Sequence, residues 1–419
     1  MRISVRRLAV VTAVGALAAA ASATAATSAP GQLDSSFGRG AGYVATSFPN
    51  PAFADGLVMQ GDKTIVVGSV DNTANGSSGD FAIVRYNKDG SLDNSFGNGG
   101  KVVVDFGGND DLASAVTLQG GKIVVVGYTS PDDNNFSFAL ARLESNGKLD
   151  KSFGNGGKVV VGFNDGYDFA DAVTTTSDKI VVAGSTQAGT GGDNFVVARF
   201  NNNGALDTTF GSGGKVVTDF AGGFDAANGV AMMGDSILAA GYVQEPTGSD
   251  FGLVRYTKTG ALDTTFGQGG KTTTDFGHGD DYGHSVSVNG DRILVVGSAS
   301  NGSDQDFAAA VYTKNGVLDP SFSGNGKATI AGAGDDEAFG GALANDGSVV
   351  AGGASNGAFA VARWTKAGAI DSTFGNGGME TTPIGGDSAA FALALGPGNT
   401  IVLGGYSDDS FAVARYLSH

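Results

Sequence analysis

The sequence predicts an all-β fold: a seven-bladed β-propeller with four antiparallel strands per blade. It is closed by pairing an N-terminal outer strand with three C-terminal strands. Three observations predict it. A Leu-Asp-x-x-Phe motif recurs along the whole chain of 419 residues. Between its copies lie apolar runs four to six residues long, rich in Val and Ile, which suit buried strands and not helices. Glycine reaches 71 residues with only 8 prolines, which fits many short strands joined by tight turns.

The first motif stands at Leu33-Asp34 with Phe37, Leu92-Asp93 with Phe96, Leu149-Asp150 with Phe153, Leu206-Asp207 with Phe210 and Leu262-Asp263 with Phe266. It continues at Leu318-Asp319 with Phe322, and at Ile370-Asp371 with Phe374. Successive aspartates are 59, 57, 57, 56, 56 and 52 residues apart. A second motif, Phe-x-x-x-Arg, keeps the same period at Phe81/Arg85, Phe138/Arg142, Phe195/Arg199, Phe251/Arg255, Phe359/Arg363 and Phe411/Arg415; the copy at Phe307 has Val311 in place of arginine. A third is an apolar run ending in glycine, beginning at Ile65, Ile123, Ile180, Ile237, Ile293, Val349 and Ile401. Internal similarity at this period, with four strands per unit, is the signature of propeller blades.

Residues 112–163 show the order within a unit. Ala113–Leu118 reads as a small-residue strand that fits the crowded axis. Ile123–Val126 is the second strand, Phe138–Leu143 the third and Lys158–Phe163 the outer fourth. The turn after Phe-Gly carries Gly99, Gly156, Gly213 or Gly269, where positive φ is needed. In one copy Asn325 falls at that place and is expected to take the same conformation. The chain opens with a motif copy and an outer strand near Gly42–Phe48, and it finishes with three strands ending at Tyr416. The two incomplete pieces sum to one blade and leave no open edge.

The blocks Phe81–Gly100 and Phe251–Gly270 resemble the delta-60 repeat family of secreted or surface bacterial proteins. The likeness extends over residues 33–416. It implies a propeller outside the cytoplasm and no particular activity.

Arg2, Arg6 and Arg7, the apolar Leu8–Ala21 and the small-x-small site Ala23-Thr24-Ala25 read as an export signal. The expected organisation is a signal peptide over 1–25, a short linker over 26–32 and the propeller over 33–419. The expected location is secreted or extracytoplasmic. Removing three arginines and no acid takes the formal charge from −17 to −20. Such a surface repels nucleic acid and anionic membranes. With no cysteine and only His278, His284 and His419, thiolate chemistry, a lipid-anchor cysteine and a multi-histidine metal centre are excluded. No second apolar run of spanning length follows, and a monomer is expected.

The strand arginine precedes the motif aspartate by eight residues in five copies: Arg85 and Asp93, Arg142 and Asp150, Arg199 and Asp207, Arg255 and Asp263, Arg363 and Asp371. Arg415 runs out of chain, so its partner would be Asp34 across the closure. A spacing repeated this often reads as structural ion pairing. Asp111, Asp168, Asp225, Asp281 and Asp336 precede the inner strand and would ring one mouth of the central channel. A carboxylate ring suits a hard cation such as Ca²⁺; alternatively each aspartate caps its own turn. The loops between second and third strands share that face and vary in length, with the strand glycine lying 13, 11, 11, 10, 10, 6 and 6 residues before the next motif Phe. Variable loops on a rigid scaffold are where ligands bind.

Catalytic motifs are scarce. No Gly-x-Ser-x-Gly elbow occurs. His278 and His284 near Asp280, Asp281 and Ser285 are the one Ser/His/Asp grouping. The sequence therefore points to a non-enzymatic binding propeller for a glycan, peptide or protein. The alternatives are a cell-envelope hydrolase or lyase, and a purely structural surface protein. Blade asymmetry separates them, since an enzyme needs one blade with convergent polar residues.

Overall fold

In the computed structural model, residues 29–72, 78–107, 110–131, 135–163, 166–187, 192–220, 223–398 and 400–419 are described. The expected signal segment and its cleavage site lie outside them, as do residues 73–77, 132–134 and 188–191 of the long loops. Among the described residues no helix is long and apolar enough to cross a membrane.

The chain forms seven four-stranded antiparallel sheets. Blade 7 is composite: β1 (Tyr43–Ser47) joins it from the other end of the chain. Blade 1 holds β2 (Ala52–Gln60), β3 (Lys63–Asn72), β4 (Ser78–Tyr86) and β5 (Lys101–Val104). Blade 2 holds β6 (Asp110–Gln119), β7 (Lys122–Ser130), β8 (Ser137–Leu143) and β9 (Lys158–Val161). Blade 3 has β10 (Asp168–Thr175), β11 (Lys179–Gln187), β12 (Asp193–Asn201) and β13 (Lys215–Thr218). Blade 4 has β14 (Ala226–Met233), β15 (Ser236–Glu245), β16 (Gly248–Tyr256) and β17 (Lys271–Thr274). Blade 5 has β18 (Asp281–Asn289), β19 (Arg292–Ser300), β20 (Gln305–Thr313) and β21 (Lys327–Ile330), and blade 6 has β22 (Asp336–Leu343), β23 (Val349–Ser355), β24 (Ala358–Trp364) and β25 (Met379–Thr382). Blade 7 is completed by β26 (Ser388–Gly396), β27 (Thr400–Ser407) and β28 (Ser410–Leu417).

Strands lie in chain order from the axis outward, and the first strand of each blade packs on the first strand of the next, the seventh meeting the first. Closure pairs Tyr43 with Ala414 through Ser47 with Ser410. The second and third strands are continuous apolar runs because they are covered on both faces by neighbouring blades. Ile123–Val126 and Leu140 are fully buried. Large apolar side chains fill the space between blades: Val350, Phe359, Val361 and Phe374 of blade 6 cluster with Ile401, Leu403, Ala412 and Tyr416 of blade 7.

A matched polar pair also crosses four blade junctions. Buried Tyr86, Tyr256, Tyr312 and Tyr416 bond Thr46, Thr218, Thr274 and Thr382 at 2.8, 2.7, 2.7 and 2.9 Å. Where Leu143, Phe200 or Trp364 replaces tyrosine, the preceding blade carries Val104, Val161 or Ile330 in place of threonine. Hydroxyls are therefore buried together or omitted together, in line with the cost of an unpartnered polar group; at the blade 6 junction Trp364 Nε1 stays buried without a partner.

One turn differs from expectation. Positive φ falls on Gly324 (78°) and Ser323 (53°), not on Asn325. Glycine one residue earlier takes the left-handed conformation without steric cost, and Asn325 Oδ1 instead accepts the Lys327 amide at 3.0 Å.

Candidate functional site

The arginine–aspartate pairs lie between blades. Arg85, Arg142, Arg199, Arg255, Arg363 and Arg415 donate through Nε to Asp93, Asp150, Asp207, Asp263, Asp371 and Asp34 at 2.7–3.0 Å. Each aspartate's other oxygen accepts the hydroxyl and amide of a Ser or Thr two residues on, as at Ser95 and Thr209. Each guanidinium also lies over a motif Phe ring; Arg85 stands 4.5 Å from the Phe96 centroid. Its Nη1 donates across the junction to the Ser145 carbonyl at 2.5 Å. Burial opposes ionisation of Asp93, yet the Ser95 hydroxyl, Lys63, the Ser95 amide and Arg85 hold its carboxyl well below the usual carboxylate range.

Blade 5, with Val311 at the arginine position, draws a substitute from its second strand. Arg292 Nε lies 3.4 Å from Asp319, at the strand position where Lys63, Lys122 and Lys179 reach Asp93, Asp150 and Asp207 in other blades. Sequence spacing did not reveal this exchange, because Arg292 and Asp319 belong to no shared motif.

Asp111, Asp168, Asp281 and Asp336 lie at or next to the first residue of their inner strands and Asp225 just before its strand; all five are 0% exposed. Their Oδ2 atoms accept the amides of Phe106, Phe163, Phe220, Phe276 and Gly332, within the turn that enters the strand. Burial above all pushes Asp281 up to about 6. Its neighbour Asp250 is likewise pushed up to about 6, by burial first and then by Asp275.

The mouth of the channel carries features the sequence motifs hid. Every inner strand has a β-bulge at the same place, three residues past the aspartate position. The residues skipped in the pairing are Asp55, Ser114, Asp171, Asn228, His284, Phe339 and Phe391. Bulges re-aim a side chain and recur beside functional sites. The surrounding strands repeat almost unchanged, while this ring passes from acid and amide on one side to aromatic on the other. His284, Phe339 and Phe391 touch across blades 5, 6 and 7, with ring centroids 4.8 Å apart at both contacts.

A second aromatic pattern lies two residues before the bulge. Paired positions in the first two strands of each blade carry one aromatic at most: Phe53 opposite Ser69, Leu112 opposite Tyr128, Phe169 opposite Ser185, Ala226 opposite Tyr242, Tyr282 opposite Ser298 and Ala389 opposite Tyr406. Tyr128 meets Phe169 at 5.0 Å, Tyr242 meets Tyr282 at 5.3 Å and Tyr406 meets Phe53 at 5.4 Å, so edge-to-face pairs couple blades 2 with 3, 4 with 5 and 7 with 1. Seven is odd, and blade 6 is left over. It places Glu337 opposite Ala354 instead. Burial, followed by the Asp335 charge, pushes Glu337 above the usual carboxylate range; burial first and then the Asp280 charge raise Tyr282, with a smaller push from Glu337. Tyr282, His284, Glu337 and Phe339 thus form the most irregular part of the mouth.

Six segments of the chain, residues 60–96, 121–153, 176–210, 235–266, 291–322 and 344–374, match a family model described as "Domain of unknown function (DUF5122) beta-propeller". No curated protein matches the chain. Among solved structures, Drosophila Semaphorin 2a is similar at TM-score 0.51 and 10% identity, covering 90% of this chain and 75% of its own. Sqt1 from Chaetomium thermophilum aligns at TM-score 0.46 and 13% identity, over 88% of this chain and 97% of that one. A structure described as YCF48 bound to D1 peptide aligns at 0.48 and 10%, over 94% and 99%. At these identities the likeness concerns the propeller fold alone.

Proposed function

Since six of its segments match a propeller repeat family of unknown function, we propose from the geometry that this chain is an extracytoplasmic, non-enzymatic glycan-binding propeller. The finer likeness to delta-60 repeats and the export-signal reading of residues 1–25 belong to the same proposal. The observation that carries it is the ring of bulge residues. Aromatic faces at Phe339 and Phe391 suit the apolar CH face of a sugar ring. Asp55, Asp171 and Asn228 make the other side of the mouth polar, with the Asn228 amide held on the Gly283 carbonyl at 2.9 Å. Pockets that bind small ligands combine apolar surface with a few placed polar groups in this way. The acidic net charge of −17 disfavours strongly anionic sugars.

The cell-envelope hydrolase or lyase keeps one supporting observation, the Tyr282, His284 and Glu337 group between blades 5 and 6. A glycan array probed with the purified propeller tests both readings. Retention on neutral glycans, with the sugars recovered intact, supports binding. Cleavage products would favour the enzyme, and retention on peptides alone would replace the ligand class.

A further inference from the structure

The molecule also carries two acid triads away from the bulge ring. Carboxylate oxygens of Asp80, Asp105 and Asp111 lie within 4.8 Å of one another, and those of Asp250, Asp275 and Asp281 do the same. Each triad draws one acid from a third strand, one from the residue after the outer strand and one from the next blade's inner strand. The triads therefore bridge blades 1 and 2, and blades 4 and 5. At the other junctions at least one acid is replaced. Gly162, Ala331, Pro383 and Ser47 stand at the middle position in four, and Asn194 stands at the first position in the fifth.

A second observation distinguishes the first triad. Asp111 is 0% exposed, and its Oδ2 accepts the Phe106 amide at 2.6 Å. Its Oδ1 is buried without a hydrogen-bond partner. Burial above all pushes Asp111 above the usual carboxylate range, against a smaller opposing pull from the Thr129 hydroxyl. A buried carboxylate oxygen lacking a donor is costly unless a proton or a cation satisfies it. Lys158 donates to the backbone carbonyl of Asp105 at 2.8 Å.

We infer that Asp80, Asp105 and Asp111 bind Ca²⁺ between blades 1 and 2; in the second triad both Asp281 oxygens already accept backbone amides, from Phe276 and Ser300. The donors are all oxygen, which selects a hard cation. Ca²⁺–oxygen distances near 2.3–2.6 Å put oxygens on opposite sides of the ion roughly 5 Å apart, so the observed spacing needs little rearrangement. Exposed Asp105 leaves room for water to complete the shell. The site is separate from the glycan proposal and stands or falls without it.

Calorimetric titration of the purified chain with CaCl₂ tests the inference. One equivalent is expected, with affinity of order 10⁻⁴–10⁻³ M as in extracellular calcium modules. Asp105→Asn should remove it. Asp275→Asn, in the triad whose inner aspartate has both oxygens hydrogen-bonded, should keep it, as should Asp62→Asn at an exposed acid elsewhere. Melting in chelator confirms that the variants fold. Absence of binding at millimolar Ca²⁺, or full binding by Asp105→Asn, would overturn the inference.

Discussion

Arg415 Nε donates to Asp34 Oδ2 at 2.8 Å across 381 residues of chain. The same guanidinium reaches the Lys88 carbonyl of blade 1 at 2.5 Å and the Ser36 hydroxyl at 2.8 Å, and it lies 4.7 Å from the Phe37 centroid. One side chain thus joins the two ends of the chain and the next blade. Arg415→Ala leaves the buried Asp34 carboxylate without its cation, and should cost about 2–4 kcal/mol. Arg199→Ala should cost a similar amount by the same contacts. Only Arg415→Ala should also speed amide exchange in Tyr43–Ser47, because there the lost pair holds a strand from the far end of the chain. Urea unfolding and hydrogen exchange measure both.

The buried tyrosine–threonine pairs predict strong coupling. Tyr256→Phe strands the Thr218 hydroxyl and should cost about 1–2 kcal/mol. Thr218→Val strands the tyrosine hydroxyl and should cost a similar amount. The double variant resembles the Phe200/Val161 junction already present, so its loss should be smaller than the sum. A thermal double-mutant cycle giving additive losses would contradict the pairing.

Acid stability follows from the depressed carboxylates. Asp207 is held below its ordinary range: burial opposes this, but the Thr209 hydroxyl, Lys179, the Thr209 amide and Arg199 outweigh it. A carboxyl with a lowered folded pKa contributes stability above its unfolded pKa, near 3.9, and loses it as pH falls toward the folded value. The melting gap between the native chain and Asp207→Asn should be constant from neutral pH to about 5 and narrow below about 4. A gap independent of pH would refute the charge-based account.

Blade 5 allows a rescue experiment. Arg292→Ala removes the only cation paired with Asp319 among the described residues, and should lower stability by about 1–3 kcal/mol. Adding Val311→Arg restores the arrangement of the other six blades and should recover most of the loss. Failure to recover would show that the arginine position in blade 5 no longer accepts the side chain. Differential scanning calorimetry reads both steps.

The repeat period, strand order and composite seventh blade were legible because each motif fixes a packing role that recurs. Leu-Asp-x-x-Phe sets the turn, Phe-x-x-x-Arg the third strand, and the apolar run the second. The inner-strand aspartates were legible as a set. Their depth was not, since it depends on a turn that folds back to present an amide four or five residues upstream. The bulge ring was hidden for a different reason. A bulge shifts pairing without changing residue spacing along its own strand, so Asp55, Ser114 and Phe391 share no motif. Asp80 and Asp105 were missed because the triad needs three strands from two blades. His284 was singled out in the sequence as part of a Ser/His/Asp grouping; the structure places it against Phe339, beside the one blade where Glu337 breaks the aromatic pairing.

The most direct test of the binding account compares the native propeller with Phe339→Ala/Phe391→Ala on the same glycan array. These half-buried side chains make aromatic contacts across blades 5, 6 and 7, so the double variant is compared at a temperature well below its own melting transition. The account predicts retention of at least one neutral glycan by the native protein and at least a tenfold loss in the variant, or about 1.4 kcal/mol or more. No retention by the folded native protein, or equal retention by both, would contradict it.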